Sequence, residues 1–103
     1  MTLDLGTYSR RVLDLYSRLP DTPSGPRRAD RKLVIQLHDR SIDIVTIESA
    51  LLLATVRRLC RPPDRPALPS VRSLAYYLPV LDELLQHPLP DGYTDYLRSK
   101  VLL

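Results

Sequence analysis

Residues 43–59 read DIVTIESALLLATVRRL, and the predicted fold is built around this stretch. Its apolar side chains surround a helical axis instead of forming one stripe, and a pair of arginines, Arg57 and Arg58, stands near its end. A helix that is apolar on nearly all sides is buried, either in its own chain or against a partner. We therefore predict a buried central helix over about 43–59, with Asp43 at its N-cap.

The segments on both sides of this stretch predict four further helices. Two precede it, over about 7–19 and 29–39, and two follow it, from Ser70 toward His87 and from Asp91 to about Val101. Four prolines within residues 61–69 predict an extended connector. The expected fold is all-α, an irregular bundle of about five helices around a buried central helix (about 43–59), with the proline-rich connector at 61–69. We expect one domain over residues 1–103.

Local signals predict the helix ends and the inner faces. Thr7 is the expected cap of the first helix, which Pro20 ends, and Ser70 and Asp91 are the expected caps of the last two. Pro79 should kink or split the fourth helix. The expected inner faces of the last two helices consist of Leu74, Leu78, Leu81 and Leu85, and of Tyr93, Tyr96, Leu97 and Val101.

The composition favours a cytoplasmic protein that does not enter a membrane. Cys60 is the only cysteine, so it forms no internal disulfide and cannot by itself build a zinc site. The first residues lack the basic and apolar regions of a secretory signal. The most apolar stretch, 42–56, is short for a membrane span and contains Asp43 and Glu48.

Candidate catalytic groups are sparse. His38 and His87 stand near predicted helix ends, where a histidine is usually a surface residue favoured by the helix dipole. Cys60 follows two arginines but has no evident base, so a packing role is expected for it. Asp82 and Glu83 are adjacent and point in different directions on a helix, which makes them a poor acid–base pair. We expect no enzyme, no catalytic residues, no metal site and no cofactor.

The short break before the central helix invites comparison with a helix-turn-helix motif. The second helix of that motif must present polar side chains to base edges in the major groove. Here the corresponding helix is mostly Ile, Val, Leu and Ala, and Ser41 stands at the turn position where Gly is common. Sequence-specific reading of the major groove by this helix is therefore not expected.

The basic residues are the better functional candidates. Thirteen of the fifteen are arginines, and they concentrate in residues 27–40 and 57–72, whereas residues 80–97 carry four acidic groups and no basic one. If the two basic groups converge in space, they form a surface that binds nucleic-acid backbone, DNA or RNA, without base reading. Tyr76 or Tyr77 could stack on unpaired bases, although a core role is expected for at least one. The candidate binding residues are Arg27, Arg28, Arg31, Lys32, Arg57, Arg58, Arg61, Arg65 and Arg72.

Two other interpretations of the same charges stay open. Arginines near a helix C-terminus stabilise the helix dipole, and a charged surface also aids solubility. Alternatively, the positive middle and the negative late segment are complementary faces in a homodimer or a larger protein complex without nucleic acid. The Leu-Leu pairs at 84–85 and 102–103 are candidate contact points, and equally candidate core positions.

Two stretches carry a resemblance to a known kind of protein. They are IESALLLATVRRL at 47–59 and RSLAYYLPVLDEL at 72–84. Together they resemble small helical accessory modules near the C-termini of replication-initiator-like proteins on bacterial mobile elements, over about residues 7–99. The resemblance implies a role in DNA transactions and carries over no catalytic residues.

Overall fold

The computed structural model describes residues 3–23 and 25–101, and within them all regular structure is helical. The five α-helices are α1 (Leu5–Arg18), α2 (Arg28–Asp39), α3 (Ile44–Leu59), α4 (Leu78–Gln86) and α5 (Tyr93–Val101). A single 3₁₀ turn, Leu74–Tyr77, directly precedes α4. The predicted all-α bundle of about five helices is confirmed.

Helix α3 is the centre of the bundle, as its sequence predicts. It packs against α1, α4, α5 and the 3₁₀ turn, while α2 packs against α1 and the same turn. Leu52 is fully buried, whereas Val45 and Leu59, near the two ends of α3, are more than half exposed. The central part of α3 is therefore covered on all sides, and its ends emerge at the surface.

The start of α1 differs from the prediction. The helix begins at Leu5, and the Asp4 carboxylate accepts a hydrogen bond from the Thr7 N–H at 3.2 Å. The prediction of Thr7 as the cap was wrong because Asp4 supplies a stronger, charged acceptor three residues earlier. Helix α1 ends at Arg18, just before Leu19 and Pro20, as the proline predicts.

The turn between α2 and α3 is hydrogen-bonded to α1. Ser41 has a φ of 57°, so it adopts the left-handed conformation that the short turn requires. The Tyr8 hydroxyl donates to the Ile42 carbonyl at 2.7 Å, a contact between residues 34 positions apart. Asp43 occupies the N-cap position of α3, but its side chain makes no capping hydrogen bond.

The start of the fourth helix also differs from the prediction. Ser70 caps nothing, because residues 70–73 form no helix, the 3₁₀ turn begins at Leu74 and α4 begins only at Leu78. Pro79 then lies in the first turn of α4, where its missing N–H would have had no helical partner. It therefore defines the start of a helix. Leu84 is buried and Leu85 is exposed, so Leu85 was wrongly assigned to the inner face.

Helix α5 contacts the core through fewer residues than predicted. Leu97 is fully buried, whereas Tyr93 and Tyr96 are exposed, so the prediction of both tyrosines as core residues was wrong. The Tyr96 N–H donates to the Gly92 carbonyl at 3.3 Å, which puts Gly92 at the cap position predicted for Asp91. The Leu-Leu pair at 102–103 lies outside the described residues. No helix in the described part of the chain is long and apolar enough to cross a membrane.

Candidate functional site

Arg57, near the C-terminal end of α3, is held in an ion pair. Its guanidinium donates two hydrogen bonds to the Glu83 carboxylate of α4, at 2.9 and 2.7 Å. These bonds lower the pKa of Glu83 and raise that of Arg57, because each charge stabilises the other. Arg57 therefore joins α3 to α4, and its charge is largely balanced within the chain.

Arg58 joins three segments at the same end of α3. It donates to the Pro69 carbonyl at 3.0 Å, to the Tyr76 hydroxyl at 3.1 Å and to the Asp21 carboxylate at 3.4 Å. Only 10% of its side chain is exposed. The hydrogen bond to Tyr76 is the main reason why the pKa of Arg58 is raised. Arg58 thus fixes the connector and the 3₁₀ turn to the end of α3.

The other three arginines of the 57–72 group are exposed. They are Arg61, Arg65 and Arg72, and within residues 3–23 and 25–101 none of the three forms an ion pair. Arg61 donates to the Pro66 carbonyl at 3.1 Å, inside the connector. We call these three residues the connector arginines.

Arg58 and the connector arginines line neighbouring cavities. One of about 270 Å³ is lined by Arg58, Arg61 and Arg65, among others. A second, of about 410 Å³, is lined by Arg58, Arg72 and the exposed side chain of Leu68. Because Arg58 contributes to both walls, the connector arginines belong to one continuous part of the surface.

The basic group of α2 reaches this surface through a buried carboxylate. Asp30 is 1% exposed. Its two oxygens accept hydrogen bonds from the N–H of Arg27 and from the N–H of Leu74, each at 2.9 Å. The N-terminal end of α2 is therefore fixed to a residue only two positions beyond Arg72. The exposed α2 cations are Arg27, Arg28, Arg31 and Lys32.

The two basic groups thus meet at one contact and are not merged. The α2 cations line neither of the two cavities above, and the contact that joins the two groups is the hydrogen bond from the N–H of Leu74, two residues after Arg72, to Asp30. Like the connector arginines, they form no ion pair with the described residues. The two groups together contain seven exposed cations, four of the α2 group and three of the connector.

Tyr76 and Tyr77 have different environments. Tyr77 is 3% exposed, and burial raises its pKa to about 12. Tyr76 is 43% exposed, and the Arg58 guanidinium carbon lies 5.3 Å from its ring centroid. The expected core role of at least one of these tyrosines is confirmed for Tyr77. Tyr76 remains available to a ligand.

Two other candidates lie in places that the sequence did not predict. His38 is half-buried, with Nε2 2.9 Å from the Leu3 carbonyl oxygen and its ring centroid 5.0 Å from that of Tyr8, so it is not the free surface residue expected. Cys60 is exposed, which contradicts the expected packing role. His87 is exposed as predicted.

The sequence does not reveal the acidic partners of Arg57 and Arg58. Glu83 and Asp21 lie 26 and 37 residues from the arginines that they contact, and no local pattern announces such pairs. Asp30 carried a partial signal, since an acidic residue in the first turn of a helix often accepts from backbone N–H groups. Its second bond, to Leu74, depends on the tertiary fold.

The opposite end of α3 has a cavity of its own, of about 430 Å³. Ser49 and Thr94 hydroxyl oxygens lie 2.6 Å apart on its wall, and Arg98 links Asp95 of α5 to Glu48 of α3. These contacts join polar groups of α3 to polar groups of α5. They hold α5 against α3.

Neither metal chemistry nor known relatives define the site further. In the part of the chain that the structure describes, no three His, Cys, Asp or Glu side chains are placed to hold a metal ion. Comparison with known proteins assigns no family, since no family model matches the sequence and no curated protein or solved structure matches it significantly.

Proposed function

We propose that this chain is a non-enzymatic helical module that binds the phosphate backbone of nucleic acid in the cytoplasm. The connector arginines and the α2 cations make the contacts, while Arg57 and Arg58 hold the surface in shape through Glu83, Asp21 and the Pro69 carbonyl. The observation that carries the proposal is the buried Asp30 carboxylate, which fixes the N-terminal end of α2 to Leu74, two residues after Arg72.

The charge balance of this surface supports a polyanionic partner. The segment 57–72 contains five arginines and one acidic residue, Asp64, and the two arginines with ion pairs are distinct from the three connector arginines. Guanidinium groups match phosphate oxygens in geometry and remain charged at all physiological pH values. Contacts to phosphate position a protein on nucleic acid without reading sequence. The resemblance to modules of replication-initiator-like proteins points in the same direction.

Charge removal tests the proposal. Replacing Arg61, Arg65 and Arg72 together by Gln should weaken binding to a labelled DNA or RNA oligonucleotide by at least tenfold at low salt, because three phosphate contacts are lost. Fluorescence anisotropy measures the dissociation constant. The matched control replaces Arg10, Arg11 and Arg40, which are also exposed, and should change binding far less. Equal effects of the two triple variants, or no binding by the unmodified chain, would contradict the proposal.

A second candidate function is protein–protein interaction without nucleic acid. Val45 and Leu85 are exposed on the wall of the cavity at the start of α3, and the exposed rings of Tyr93 and Tyr96 lie 5.4 Å apart on α5. Apolar side chains that share one surface region mark interaction sites. Light scattering on a sizing column tests self-association. A concentration-dependent dimer that Leu85→Glu abolishes favours this candidate, and a strict monomer contradicts its homo-oligomeric form.

A further inference from the structure

The exposed ring of Tyr76 shares cavity walls with Arg61 and Arg72, two of the connector arginines. We propose that it is a stacking platform for one unpaired base, so that the surface prefers single-stranded over double-stranded nucleic acid. This inference rests on the proposed function and names its substrate class. Base stacking, in addition to backbone binding, is inferred from the position of the Tyr76 ring and from the side chains that hold it.

The ring of Tyr76 is held in place before any ligand arrives. Arg58 lies 5.3 Å from the ring centroid and also donates to the hydroxyl, and the Tyr77 ring packs at 86° with a centroid distance of 5.2 Å. Tyr77 is itself buried and packs edge-on to Tyr16 at 6.1 Å. A ring fixed by the core loses little conformational freedom on binding, which favours affinity.

The space beside Tyr76 is open and flanked by cations. The ring contributes to two cavities, of about 380 and 410 Å³. Arg61 lines the first and Arg72 lines the second. Both volumes fall within the ~300–1,000 Å³ range of small-molecule sites. A strand whose base enters beside Tyr76 therefore has a cation near its backbone on either side.

The walls of these cavities suit a base and exclude a paired one. Leu68 and Pro69 line the cavity with Arg72, and Pro79 and Val80 line the cavity with Arg61. Apolar walls and an aromatic ring bind the flat face of a base, and this interaction is independent of sequence because every base has such a face. In a duplex those faces are covered by neighbouring base pairs. Stacking on Tyr76 is thus open to an unpaired base and closed to a base pair in the interior of a duplex.

Tyr96 provides a matched control within the same chain. It is 51% exposed, and the Lys100 ammonium lies 5.4 Å from its ring centroid, so it too is an exposed tyrosine beside a cation. It lies on α5 and lines neither cavity beside Tyr76. Replacing it changes the same chemical groups at a different place.

The experiment compares three labelled probes of equal length, about 20 nucleotides, which exceeds the ~4–16 nucleotides that one single-strand-binding fold covers. They are a mixed-sequence single strand, a strand of abasic sites with the same phosphates, and a duplex. The unmodified chain should bind the first most tightly. Tyr76→Ala should weaken that binding roughly 5- to 150-fold, the equivalent of losing one stacked base, and leave the abasic probe unaffected.

The variants separate stacking from loss of fold. Tyr76→Phe keeps the ring and should bind the single strand within about twofold of the unmodified chain, and Tyr96→Ala should do the same. If Tyr76→Ala binds the single strand normally, or weakens binding to the abasic probe equally, the inference is overturned. Equal, salt-sensitive binding to all three probes would overturn it while leaving backbone binding intact. Absence of binding to every probe would overturn the proposed function and this inference together.

Discussion

At the scale of single residues, three buried tyrosines differ in what their hydroxyls meet. The Tyr8 hydroxyl donates to the buried Ile42, whereas the hydroxyls of Tyr16 and Tyr77 are buried without a hydrogen-bond partner among the described residues. Thr55 lies near Tyr77, but its hydroxyl donates to the Leu51 carbonyl. Burial raises the pKa of all three phenols, and that of Tyr8 reaches about 12.

This difference predicts opposite effects of one chemical change. Tyr16→Phe should raise the free energy of unfolding by about 1 kcal/mol, because it removes a buried hydroxyl that bonds to nothing. Tyr8→Phe should lower it by about 1–2 kcal/mol, because it leaves the buried carbonyl of Ile42 unpaired. Urea denaturation followed by circular dichroism measures both. If the two variants are destabilised alike, the assigned hydroxyl environments are wrong.

The sequence indicated which basic residues to consider for the candidate site, but it did not indicate which of their charges are balanced by acidic partners. Arg57 and Arg58 look equivalent to Arg61 and Arg65 along the chain, yet the first two are bonded to Glu83 and Asp21. Such pairs join residues far apart in sequence and depend on how the helices pack. Local charge counting therefore overestimates the free positive charge.

Among the secondary-structure elements, α2 and the 3₁₀ turn are linked by the hydrogen bonds of Asp30. It belongs to the first turn of α2, and one of its oxygens accepts from the Arg27 N–H there. The other accepts from the Leu74 N–H, 44 positions later. The bond to Leu74 is buried, so its removal leaves a buried donor without its partner.

Asp30→Asn should therefore lower the free energy of unfolding by about 1–3 kcal/mol, because an amide presents only one acceptor oxygen to the two N–H donors. Urea denaturation measures the loss, and faster amide hydrogen exchange at Leu74 should locate it. The control is Asp39→Asn, an exposed residue at the end of the same helix, which should change stability by less than about 0.5 kcal/mol. An Asp30→Asn chain as stable as the control would contradict the assigned role.

The number of helices followed from the sequence, but their ends and faces did so only in part. The apolar core of α3 is a strong pattern, and its prediction describes the structure. The connector forms no helix, as its prolines predict, but it is not extended throughout, because it contains a turn at 63–64 in which the Arg65 N–H donates to the Pro62 carbonyl at 3.1 Å. Pro79 was misplaced because a proline is acceptable both as a kink and in a first helical turn. Tyr93 and Tyr96 were misplaced because their spacing fits an inner face, while α5 contacts the core through the buried Leu97 and the partly buried Val101.

At the scale of the whole molecule, the two ends of α3 are used differently. The end near Ser49 is tied to α5 by bonds among its own polar groups, whereas the end near Arg58 carries the connector arginines and the exposed ring of Tyr76. The sequence predicted which basic residues to consider. The contact between α2 and the segment just after Arg72 depends on the buried Asp30 carboxylate, and only the folded structure reveals it.

The most direct test of phosphate binding is the salt dependence of affinity for a single-stranded oligonucleotide, measured by anisotropy at several concentrations of NaCl. Each phosphate contact contributes about −0.7 to the slope of the logarithm of the association constant against the logarithm of salt concentration. With roughly three to seven contacts from the proposed cations, we predict a slope of about −2 to −5. The Arg61, Arg65 and Arg72 to Gln variant should have a shallower slope. A slope near zero, or an unchanged slope in that variant, would contradict the proposal that this surface binds nucleic-acid backbone.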